Sequence, residues 1–390
     1  MRTQPQDVIA KLEADNSRLA KEKILLDAMN EGLDEFFEGL KMCLDKLYTF
    51  GVKQVPTKDE VVAGQGCPWN VFKDLAEKLY NRELTGHNAR DAINLVMSSA
   101  TAEQWNGFYR RILIKDLRCG VSEKTVNSVA KKNKFGKYMV PVFTCQLAHD
   151  SANHEKKLVG KKMLEVKLDG VRTLAIVHPD GKVDMLSRNG KEFTNFGHIQ
   201  DEISAVVKQD PPPYPLVLDG EVMSENFQDL MKQVHRKGSA DAKDAVLHLF
   251  DFIPLEEFKK GKWDKTQTLR TAMLKAWYQK HETNLNAVRV LDHEIVDLDT
   301  PEGQTTYTEV NKRAVQGGYE GIMIKDLEAP YECKRSHAWL KLKPFIEVSL
   351  EIKATEEGTG RNVGKLGALI CEGVDAVSYT HLTLPTTLTV

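Results

Sequence analysis

A chain of 390 residues with a formal charge of −2 is long enough for two or three domains, each with its own core. Its 41% hydrophobic and 28% charged residues exclude a disordered protein. No run approaches eighteen apolar residues, which excludes a helical membrane span. The N-terminus MRTQPQDVIAKLEADNSRLAKE has no signal-peptide core, so the expectation is a cytoplasmic protein with no membrane partner. Six cysteines, none in a Cys-x-x-Cys pair, argue against a zinc ribbon and against a disulfide framework.

Charge is unevenly spread. Residues 1–60 hold 9 Lys/Arg against 12 Asp/Glu, whereas 110–167 hold 14 against 5. Such a basic stretch suits a phosphate-facing surface, or simply a solvated one. To about Asn133 the chain reads as helical. Val8, Leu12, Leu19, Leu25 and Leu26 recur at helical spacing, and strand-like alternation is missing. Thr101-Ala102-Glu103-Gln104 has capping-box spacing ahead of WNGFYRRILIKDL, which predicts an amphipathic helix, and Ser122 predicts the cap of EKTVNSVAKK. Breaks fall at Gly51, at residues 64–68 and at Thr85-Gly86-His87-Asn88.

From Met163 short runs rich in Val, Ile and Leu alternate with helical segments, predicting an α+β domain. The runs are MLEVKLDGVRTLAIV, KVDMLSRNG, PLVLDGEVM, AVLHLFDFI, EGIMIKD and WLKLKP; the helices fall in FTNFGHIQDEISAVVKQ and TLRTAMLKAWYQKH. The boundary lies in Lys131–Lys157. After Pro344, IEVSLEIKATEE, a glycine-rich turn and GALICEG resemble the opening hairpin of a small barrel. Residues 376–390 contain no Lys, Arg, Asp or Glu and five Thr, so the natural frame is expected to end near Gly373 or Val374.

The chemistry centres on Glu165-Val166-Lys167-Leu168-Asp169-Gly170-Val171-Arg172. Asp169-Gly170 alone is a common hairpin turn. Lys167, however, is a lysine in an apolar strand. Desolvation and cationic neighbours depress the pKa of such an amine and make it nucleophilic; the alternative is a lysine that snorkels to the surface. Ser187-Arg188-Asn189-Gly190, Asp219-Gly220-Glu221, Phe250-Asp251, Glu320-Gly321-Ile322-Met323-Ile324-Lys325 and Trp339-Leu340-Lys341-Leu342-Lys343 follow in order. Lys341 and Lys343 share one strand face, which suits a polyphosphate and its metal ion.

This ordered series resembles the nucleotidyltransferase motifs of ATP-dependent DNA ligases, over about Lys161 to Pro344. The resemblance implies that Lys167 takes AMP, Glu165 meets the adenine and Arg172 the ribose. It implies that Phe250 stacks on the base, and that Glu221 holds ribose or metal. Glu320 would serve Mg²⁺, Lys341 and Lys343 the α-phosphate, and Arg188 the 5′-phosphate of a nick. Asp169 would order the lysine loop or assist the metal, and Lys325 matches the motif without a catalytic role. LTGHNARDAI and YRRILIKDLRCGVSEKTVN resemble the helical DNA-binding domain of bacteriophage-type ligases, with Arg110, Arg111, Lys115, Arg118 and Lys124 as phosphate contacts and Gly120 allowing backbone approach.

The implied fold is multidomain. An all-α DNA-binding domain spans 1–140, an α+β adenylation domain 141–344 and the start of an OB-fold barrel 345–374; 375–390 is a non-native tail. The implied function is a monomeric enzyme that seals nicked duplex DNA with ATP and Mg²⁺, in replication, repair or recombination. An RNA ligase, a capping-type nucleotidyltransferase and a catalytically silent DNA-binding fragment are the alternatives.

Overall fold

A computed structural model describes residues 3–52, 54–60, 64–224, 244–343, 351–358, 363–372 and 378–382. Up to residue 138 the described chain is helical, with helices at Pro5–Ala14, Arg18–Asn30, Asp34–Leu44, Trp69–Tyr80, Gly86–Ser99 and Glu123–Lys132. Local chemistry sets several starts. Pro5 occupies a first-turn position, and Ser17 and Ser122 each accept a backbone N–H three residues on. The box at Thr101 forms as expected, with Thr101 and Gln104 satisfying each other's backbone N–H.

The helix predicted after Thr101 is not uniform. It opens as Ala102–Gln104, is π-wound through Trp105–Tyr109, where Arg110 N reaches back five residues to Trp105 O, and is α-helical again at Arg110–Leu113. Its apolar face still closes a core of Phe36, Phe37, Phe72, Trp105 and Phe108, with Phe72 stacked on Tyr109 at 4.3 Å. The break at residues 85–88 falls earlier than expected, because Thr85 is the N-cap and Gly86 already opens the next helix.

The following part is built on two five-stranded sheets. The first has the order β1 (Leu147–Asp150), β12 (Arg335–Leu342), β10 (Gly321–Asp326), β2 (Lys161–Lys167), β9 (His293–Asp297). The second has the order β4 (Val183–Ser187), β3 (Val171–Val177), β5 (Leu216–Met223), β6 (Val246–Pro254), β8 (Val288–Val290). A short pairing of β7 (Lys262–Trp263) with β11 (Tyr331–Glu332) stands apart. Helices Gly197–Gln209 and Gln267–His281 pack on the second sheet, and Pro301–Gln316, unmarked in the sequence, packs on the first.

The two strands flanking Asp169-Gly170 belong to different sheets, so this dipeptide is a connector and not a hairpin turn. Gly170 is needed for close approach: a Cβ there would lie 2.3 Å from Val222 O. Asp180-Gly181, by contrast, does turn a hairpin, with Val177 paired to Val183. The strands expected in PLVLDGEVM and AVLHLFDFI form over Leu216–Met223 and Val246–Pro254. The helical part meets the second sheet through Arg82 and Asp180 at 2.7 Å and through Lys182 and Thr49 at 3.3 Å.

β13 (Glu351–Glu357), β14 (Leu366–Glu372) and β15 (Ser378–Leu382) form a third antiparallel sheet. β15 lies within the stretch expected to be a tail. The remainder of that tail, the start of the IEVSLE run and part of the glycine-rich turn lie outside the described residues.

Candidate active site

Register builds the site. β2 and β10 pair Glu165 with Met323 and Lys167 with Gly321, while β10 and β12 pair Met323 with Lys341 and Lys325 with Trp339. Opposed residues, and those two apart, share a face, so Glu165, Lys167, Met323, Lys325, Trp339 and Lys341 all project from one side of the first sheet. That side lines a cavity of about 340 Å³, whose opposite wall carries Arg172, Glu221 and Phe250. The series of motifs running from Glu165 to Lys343 thus converges on one concavity.

Lys167 ends β2. Its Nζ donates to Glu320 and, at 3.4 Å, to Leu168 O. Glu320 also accepts from Lys343 Nζ at 2.7 Å. Burial alone would raise the Glu320 carboxyl, but these two ammonium groups hold it below its ordinary value. The nearest charged partner of Lys167 is therefore a carboxylate, where the sequence had suggested cationic neighbours. Glu320 is fixed from behind by its N–H to Lys167 O and by Gly321, whose φ of +137° lets the backbone pass close to Leu342 O.

Glu165 and Lys325 form an ion pair at 2.6 Å, with side chains 3% and 1% exposed. Burial pushes the Glu165 carboxyl up against the pull of Lys325. Across the cavity Arg172 holds Asp219 with two bonds of 2.6 and 2.7 Å, and Tyr331 Oη donates to the same carboxylate at 2.7 Å. Glu221, opposite Arg172 in the register, is pushed up to about 7, chiefly by burial.

Phe250 owes its direction to a β-bulge. Asp219 pairs with Asp251 and Gly220 with Leu249, so Phe250 is the unpaired extra residue. Its ring lies 4.8 Å from the Arg172 guanidinium, 5.0 Å from Lys325 Nζ and 5.8 Å from the Trp339 ring. Aromatic surface beside clustered cations and two carboxylates suits a planar, anionic ligand. The oxygen donors of Glu320 and Glu221 suit a hard dication.

Asp169 and Arg188 are exposed and line the same cavity. The five N-terminal cations are placed differently. Lys115 Nζ donates to Met42 O and Asp45 O, both at 2.6 Å, and burial lowers its pKa to about 8; it closes the C-terminus of a helix. Arg110 donates to Val55 O, and Arg111 bonds Glu13, Leu117 O and Asn106 O. Arg118 and Lys124 are exposed, the former 3.9 Å from Asp116. Asp219, Lys325, Trp339 and Tyr331 had no role assigned from sequence. Lys325 was signalled by a lysine in an apolar strand, whereas Tyr331 carried no local signal.

The ATP dependent DNA ligase domain model matches residues 145–343. The "Probable DNA ligase" of Rhodococcus opacus is 30% identical over 235 residues, covering 57% of this chain and 42% of that protein. That of Mycolicibacterium gilvum is 27% identical over 312 residues, covering 75% of this chain and 57% of its own. The chain spans about half the length of these two curated relatives. The solved structure named Pmar-Lig_PreS3 is 60% identical, covers 97% of this chain and 87% of its own, and superposes with a TM-score of 0.63. Among the described residues no helix is long and apolar enough to cross a membrane.

Proposed function

This chain belongs to the ATP-dependent DNA ligase family, and from that premise we propose that it seals nicks in duplex DNA through a Lys167–AMP intermediate. The observation that carries the proposal is the convergence of Lys167, Glu320, Lys341, Lys343, Glu165, Arg172 and Phe250 on one cavity. Lys167 Nζ attacks the α-phosphorus of ATP, forming a P–N bond as the bond to pyrophosphate breaks in line. Lys341 and Lys343 stabilise charge on the phosphoryl oxygens. Phe250 and Glu165 hold the base, and Arg172 and Glu221 the ribose. AMP then passes from Lys167 to the 5′-phosphate of the nick, received by Arg188, and the 3′-hydroxyl displaces it.

Glu320 and Glu221 would hold Mg²⁺, which neutralises charge on the triphosphate when bound. Asp169 orders the lysine loop. We assign residues 1–140 to duplex binding, with Arg118 and Lys124 as the surface phosphate contacts, 141–344 to adenylation, and 345–374 to an OB-fold segment.

Intact mass after incubation with ATP and Mg²⁺ tests the first step. One added AMP is expected in the parent chain, none in Lys167→Ala, and none with GTP. Pre-adenylated nicked DNA tests the last step separately, because it bypasses the first. Failure of both reactions overturns the reading.

A further inference from the structure

Three histidines lie close together on the outer edge of the first sheet, and nothing in nick sealing uses them. His149 is in β1, His154 follows the 3₁₀ turn Ser151–Asn153, and His337 is in β12. The parallel pairing of β1 with β12 is interrupted here: Ala148 pairs with Ser336, but His149 pairs with Leu340. His337 falls inside that gap, which turns it towards the other two. His337 Nε2 lies 3.2 Å from His154 Nδ1, and the three ring centroids are 4.4 to 4.5 Å apart. One ligand nitrogen from each lies within 4.8 Å of the others.

We propose that His149, His154 and His337 bind a divalent transition-metal ion of the zinc class. A tetrahedral ion with nitrogens at about 2.0–2.1 Å separates its ligands by about 3.3 Å. The His154–His337 pair already stands at that spacing, and from a separation within 4.8 Å His149 has to close by at most about 1.5 Å. Three imidazoles with no carboxylate among them select Zn²⁺, Co²⁺ or Ni²⁺ over Mg²⁺. The ligand must be the neutral ring. Among the described residues no carboxylate takes part in the cluster. Asp150 is turned away to cap Ala152 N, and Arg335 reaches Ala148 O.

Three protein ligands leave a fourth position for water, on the exposed side of His337. The bound ion ties β1 to β12 beside Ala148 and Arg335, which line the cavity. This site does not depend on the nucleotide chemistry and stands or falls separately from it.

The full chain, stripped with a chelator, is titrated with Zn²⁺ against a chromophoric chelator and with Co²⁺ by visible absorption. One saturable equivalent is expected, with four-coordinate Co²⁺ bands and no competition from millimolar Mg²⁺. His154→Ala and His337→Ala are close to the surface and are each expected to weaken Zn²⁺ by at least the roughly 10–100-fold seen on losing a group that only hydrogen-bonds a metal ligand. His87→Ala, on a distant helix, should leave the affinity unchanged. No saturable binding, or binding indifferent to both cluster variants, overturns the proposal.

Discussion

Lys325 offers a sharp test of what holds the site together. Replacing it with Met leaves Glu165 fully buried without its partner, a situation that costs about 3–5 kcal/mol when the orphaned group stays charged. The carboxyl can escape by taking up a proton. Its ordinary pKa is 4.5, and burial already raises it. A carboxyl whose folded pKa lies above its unfolded value gives full stability below pH 4.5 and loses it as pH rises towards the folded value. The Lys325→Met variant should therefore lose stability progressively as pH rises above 4.5, by no more than about 3–5 kcal/mol in all. Adding Glu165→Gln removes the charge, so the double variant should return to within about 1 kcal/mol of the parent. A chain of several domains does not unfold in one step, so the readout is amide hydrogen exchange in peptides 161–167 and 321–326. AMP-adduct formation should remain impaired in the double variant, since Glu165 is assigned to the base. A loss in Lys325→Met that is independent of pH, or a double variant as weak as the single, refutes this reasoning.

Glu221, with its pKa raised to about 7, should make adduct formation rise with pH between 6 and 8, a limb that Glu221→Gln flattens in a rate profile. Its ionisation also costs stability, fully absent below 4.5 and reaching about 3 kcal/mol above 7 at 1.36 kcal/mol per unit; hydrogen exchange in β5 against pH reads this directly. Arg172→Lys cannot keep both bonds to Asp219 or cover Phe250 with a planar cation. It should cost about 1.5–3 kcal/mol in the apparent ATP affinity, measured by titrating adduct formation. Gly321→Ala sets a Cβ 2.0 Å from Leu342 O at a φ of +137°. The strain of about 1–3 kcal/mol pushes β10 from β12 between Glu320 and Lys343, so adduct formation should fall while amide protection in the N-terminal helices stays unchanged.

What could be read from the sequence was local or ordered. Thr101 with Gln104 and Ser122 with its following turn are short-range pairings, and both caps form where the sequence indicates. The motif order was readable because each piece carries its own polar residue at a strand end. The rest depends on partners far along the chain. Asp169-Gly170 has the composition of a hairpin turn and becomes a connector only because β2 pairs with β10, more than 150 residues on. Nothing in HLFD signals that Phe250 is bulged, since a bulge is a property of two strands. Lys115 looked like a surface cation until the carbonyls of Met42 and Asp45, 70 or more residues earlier, took up its ammonium.

The second sheet is inserted into the first. The chain leaves β2 through residues 168–170 and returns from β8 to β9 through residues 291 and 292. Leu168, Asp169, Gly170 and Leu291 all face the cavity. Five residues therefore form the entire covalent hinge between the sheets, and both halves of its axis run along the wall of the nucleophile's pocket. Any rotation of one sheet against the other has to twist the backbone immediately after Lys167. A molecule seated between Phe250 and Lys341 acts on that axis as a wedge in a door jamb, so occupancy of the pocket and the angle between the sheets form a single mechanical variable.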